Sequence, residues 1–124
     1  MGEILHAMKK ECLAEFDKVN RFYAGLMKHR IRAEFFGEVA ECAEEQHADA
    51  LARAHGDLSD ESSRLVDITK WNEESSWANA EELMDSYGKL EEEYVRVFNA
   101  ATEKKRQLDA YELNQVGVRY FESR

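Results

Sequence analysis

At 124 residues, with no proline, 44 % hydrophobic and 35 % charged residues, the chain has the length of one domain and the composition of long helices. Its 26 Asp and Glu outweigh 17 Lys and Arg, for a net charge of −9. Such a field repels phosphate backbones and anionic lipid, so nucleic-acid binding and membrane contact are disfavoured, and the scarcity of turn signals excludes a β-rich fold.

Following every third and fourth residue from the N-terminus gives Leu5, Met8, Cys12, Glu15, Val19, Phe22, Leu26, His29, Ala33, Phe36, Ala40, Ala43, His47, Ala50 and Ala54. This single heptad frame predicts a helix over residues 3–55. No Pro, Gly, Asn, Asp or Ser falls within residues 26–36, so the helix is expected to be continuous there. Gly56-Asp57-Leu58-Ser59-Asp60 predicts a turn over 56–60, with Gly56 as the left-handed C-cap and Ser59 or Asp60 as the next N-cap. A second frame runs Val66, Thr69, Glu73, Ser76, Ala80, Leu83, Tyr87, Leu90, Tyr94, Val97, Ala101, Lys104, Leu108, Tyr111, Gln115 and Val118, and predicts a helix over 61–115 that tolerates Gly88. Residues 116–124 read as an apolar tail.

Folding about residue 58 gives an all-α, coiled-coil-like antiparallel hairpin in which paired positions sum to about 116. Lys104 then falls opposite Glu11. Glu15 and Glu73 occupy seam positions, where a carboxylate fixes register or meets a cation. Phe16, Tyr23, Phe35, Trp71, Val95, Phe98 and Val116 widen the apolar stripe beyond one seam, and stripes that wide bury against further helices. The expected assembly is a helical bundle made by a homodimer of hairpins. Trp71, Trp77, Phe98, Val118, Tyr120 and Phe121 are its expected interaction residues.

Cys12 and Cys42 belong to no CxxC or Cys/His array, which fits a reducing compartment. With no leader pattern and no apolar run of about 18 residues, a cytoplasmic protein is expected. Lys28, His29, Arg30 and Arg32 form a compact cationic cluster that reads as a solvated helix face.

No phosphate-binding glycine loop or nucleophile constellation is present, so the chain is read as a non-catalytic scaffold module that self-associates and needs no cofactor. Glu44-x-x-His47, preceded by Glu11, resembles the half-site of rubrerythrins and other ferritin-like proteins. That resemblance implies iron, with Glu11, Glu44 and His47 as ligands and a homodimer sharing two half-sites, since the second half of the chain contains no histidine. On one uninterrupted helix, however, Glu11 and Glu44 stand roughly 50 Å apart, and His47 at a seam position reads as a packing residue rather than a metal ligand.

Phe16-Asp-Lys-Val-Asn-Arg-Phe-Tyr-Ala-Gly-Leu-Met-Lys-His-Arg30, together with Tyr94-Val-Arg-Val-Phe98, resembles the long antiparallel helices of sorting-nexin-type BAR domains. The resemblance implies a dimerising scaffold; the acid excess removes the cationic face such domains use on anionic lipid. Lys18-Val-Asn-Arg-Phe-Tyr23 is similar to the start of the long hairpin of SPX domains. The charge supplies one more reading, an acidic inhibitor or decoy that docks on a basic protein surface.

Overall fold

A computed structural model of the chain describes residues 2–57 and 59–122, with side chains described as far as Gly117. Two helices account for its regular structure: α1 spans Gly2–Ala54 and α2 spans Asp60–Glu122. Helix α1 crosses residues 26–36 without a break. Helix α2 passes Gly88 uninterrupted and continues beyond the end expected at 115, so the apolar tail begins as helix. No proline stops it, and a lone glycine costs only about 1 kcal/mol relative to Ala.

A Cβ added at Gly88 would meet nothing within 4 Å. Gly88→Ala is therefore expected to stabilise the chain by about 0.5–1 kcal/mol, read as a higher urea midpoint at unchanged slope. A lower midpoint would show that the glycine serves a close approach the chain needs.

Side-chain capping chemistry determines where the helices stop and start. Gly56 takes φ 81°, the left-handed conformation that ends α1, and the Asp57 amide donates to the Ala54 carbonyl at 3.0 Å. Ser59 caps α2: its hydroxyl oxygen accepts from the Ser62 amide at 3.2 Å. Asp57 braces the cap, accepting from the Ser59 amide at 2.9 Å and from the Ser62 hydroxyl at 2.7 Å.

Those bonds, the one from the Ser62 hydroxyl foremost, hold the Asp57 carboxyl below its ordinary value. A carboxyl depressed by folding stabilises above the unfolded pKa of about 3.9, and that contribution disappears as pH falls through the lower folded value. Asp57→Ala is thus expected to lose stability at neutral pH and to show a shallower acid-side decline in melting temperature than the wild type. Parallel declines would contradict the bracing role.

Packing divides the chain into two units, residues 27–89 and residues 1–26 with 90–124. The first is a hairpin containing the turn. Its fully buried seam is alanine, with Ala33, Ala40, Ala43 and Ala50 from α1 and Ala80 from α2. Alanine puts little bulk between two helix axes, which favours the short end of the usual 8–10 Å separation. Larger side chains fill the seam of the second unit, where Cys12, Val19, Leu26, Ala101 and Leu108 are buried. There Tyr94 stacks on Phe22 with centroids 6.4 Å apart and meets Tyr23 at 5.7 Å and Phe98 at 6.1 Å.

Every member of the first heptad frame, and every member of the second as far as Gln115, is buried or half-buried. Cross-seam partners sum to 112 for His29 with Leu83 and 120 for His47 with Glu73 in the hairpin unit, and to 121 for Lys9 with Glu112 in the other. The expected register is therefore present within each unit.

Candidate protein interaction site

Heptad patterning leaves several polar residues facing the seam; each unit pairs some of them across it, while the buried Gln115 Oε1 has no hydrogen-bond partner among the described residues. In the hairpin unit the His47 Nδ1–H donates to Glu73 Oε2 at 2.6 Å, with side chains 16 % and 24 % exposed. His29 Nε2–H donates to the Leu83 carbonyl at 3.2 Å. In the second unit the Lys104 ammonium lies 3.8 Å from Glu15 and 3.9 Å from Glu11. The two seam carboxylates, Glu15 and Glu73, thus each find a nitrogen across the seam. A slip in register would strand them half-buried without partners, so these pairs specify one alignment of the helices.

The three residues of the ferritin-like resemblance are engaged differently from that site. Glu11 faces Lys104, Glu44 is exposed, and His47 is held by Glu73. Among the described residues, no group of three or more His, Cys, Asp or Glu side chains is placed to hold a metal ion. Likewise among the described residues, no helix is long and apolar enough to cross a membrane. Cys12 is buried and Cys42 exposed, both as free thiols.

Of the expected interaction residues, Trp71 is 68 % exposed and Phe98 44 % exposed, while Trp77 is half-buried. A full core-truncation loss on Phe98→Ala is accordingly not expected from the packing of this chain alone. Val118, Tyr120 and Phe121 lie outside the residues whose side chains are described. In the cationic cluster, Arg30 donates to Glu34 at 3.0 Å, and Arg32 sits 5.9 Å from the centre of the Phe36 ring.

No protein family, curated protein or solved structure matches this chain.

Several large apolar side chains lie outside the seam. In the hairpin unit Phe35 and Val39 stand exposed beside Cys42 and Asn72 around a groove of about 300 Å³, and Ile31, Ile68 and Trp71 are exposed as well. A second groove in that unit, about 550 Å³, brings Gly37 of α1 together with Trp77 and Met84 of α2. Sequence reading named Trp77 but not Gly37 or Met84. All three directly follow an inner-facing frame residue, Phe36, Ser76 or Leu83, so they share one flank of the hairpin, and that shared heptad position was the available signal.

Proposed function

We propose that the chain is a cytoplasmic, non-catalytic assembly module that self-associates through the apolar flanks of its helices. The supporting observation is that each unit covers one seam and leaves large apolar side chains beside it: Phe35, Ile68 and Trp71 in residues 27–89, Leu13, Tyr23 and Phe98 in the other unit. Large apolar side chains that no seam covers are candidates for a protein interface, and a second copy is the partner always present. The half-buried His47–Glu73 pair serves alignment in this reading and holds no metal.

Light scattering at micromolar concentration is expected to give a mass of at least two chains. Trp71→Ser combined with Phe98→Ser is expected to lower that mass while leaving helicity unchanged, because both side chains lie outside the seam. A concentration-independent monomer would overturn the proposal. Iron titration tests the alternative: saturable binding in the wild type that disappears in both His47→Leu and Glu44→Gln would replace the scaffold reading with the ferritin-like one.

A further inference from the structure

We propose that the groove lined by Gly37, Trp77 and Met84 in residues 27–89 docks a basic amphipathic helix of another protein, a function separate from self-association. The groove has an apolar base and an acidic rim. Glu34, Glu38 and Glu41 border it from α1, and Glu81 and Asp85 border it from α2.

Charge identifies the partner's chemistry. Residues 27–89 hold 15 Asp and Glu against 7 Lys and Arg, so −8 of the chain's −9 falls in this unit. Glu34 is held by Arg30 at 3.0 Å. Among the described residues, Glu38, Glu41, Glu81 and Asp85 take part in no ion pair, and all four are exposed. Lys104 lies by Glu11 and Glu15, Lys105 by Asp109 and Arg106 by Glu103, so these three cations are already engaged. A second copy of this unit would bring the same −8 to the groove, so complementary charge is expected from a foreign chain.

Shape identifies a helix. The α1 rim residues recur at i, i+4 and i+7, about 10 Å of rise, which matches two turns of a helix lying along the groove with Lys or Arg on its flanks. Its apolar face would meet the Trp77 ring and the Met84 thioether, a flexible side chain suited to adapting to such a face. A Cβ at Gly37 would meet nothing within 4 Å, so a larger side chain there would project into the open groove rather than against the chain's own packing.

The probe is a synthetic helical peptide of about 16 residues, with Leu at i, i+3, i+4 and i+7 and Lys elsewhere. A scrambled peptide of the same composition and a Leu/Glu counterpart serve as controls. Calorimetric titration of the full chain is expected to show one peptide bound per chain, weakened by added salt, with both controls at least about tenfold weaker. Glu38→Gln, Glu41→Gln, Glu81→Gln and Asp85→Asn together, or Gly37→Leu alone, are each expected to weaken binding about tenfold or more, with circular dichroism unchanged. The rim variant decides the matter should Gly37→Leu disturb folding. Equal binding of the scrambled peptide, or unchanged binding by the rim variant, would overturn the proposal. So would a drop in the self-associated mass of Gly37→Leu, because a second copy would then be the occupant. The titration and the light scattering are separate measurements, so a monomer that still binds the peptide would defeat only the self-association reading.

Discussion

Leu26→Ala is expected to destabilise the chain by about 2–5 kcal/mol, the range for removing a buried leucine and leaving a partly uncollapsed cavity. Leu26 is only 4 % exposed at a seam position of its unit, with Val19 and Phe22 before it along the frame. Leu13 is the internal control, since it lies on the same helix and in the same unit but is 72 % exposed. Leu13→Ala is expected to change stability by no more than about 0.5 kcal/mol at low protein concentration. Should self-association cover Leu13, its truncation would cost more as concentration rises, whereas the Leu26 loss would persist in the monomer. Equal urea midpoints for the two variants would refute the seam assignment.

Ala40→Leu carries the second large effect, by overpacking. Ala40 has no exposed surface, and it sits in a hairpin seam whose buried residues are all alanine. Ala and Leu differ little in helix propensity, so a change in stability at this position reports packing between the helices. The added carbons must push the helices apart or force poor rotamers, and a loss of about 1–3 kcal/mol is expected. Exposed Ala52, on the same helix, supplies the comparison: Ala52→Leu is expected to be neutral within about 0.5 kcal/mol. A neutral Ala40→Leu would show that the seam has room and that alanine is not there for close approach.

Most of the helix pattern was legible because one physical rule produces it. A residue repeating every 3.5 positions stays on one side of a helix, so the frame from Leu5 to Ala54 and its counterpart from Val66 to Gln115 name the inner face before any packing is known. The turn was legible for a different reason. Gly56 supplies a backbone conformation costly to other residues, and Ser59 supplies the oxygen that the first amides of α2 need.

The site was less legible, since the proposed function concerns what the seam leaves uncovered. Gly37 lies 40 positions before Trp77 and 47 before Met84, across the turn, so their shared heptad position shows that they line one groove only once the register between the helices is known. The pairing of His47 with Glu73 was hidden likewise: both were recognised as seam residues, but a histidine spaced three after a glutamate drew attention to Glu44, its neighbour in sequence. Helical spacing placed Glu44 toward solvent and Glu73 across the seam.

Composition, heptad spacing and capping chemistry by themselves determined that this chain forms two long helices joined at Gly56 to Ser59, with one named face of each turned inward. Those are local properties, set by the 3.6-residue period and by the few residues able to end a helix. Only the tertiary structure decided which polar seam residues meet, that the hairpin unit closes on alanine while the other unit closes on leucine, valine and aromatic rings, and that an acid-rimmed groove forms beside Trp77. Those outcomes depend on the exact register between segments distant in sequence, and a shift of even one turn along the seam would bring different side chains together.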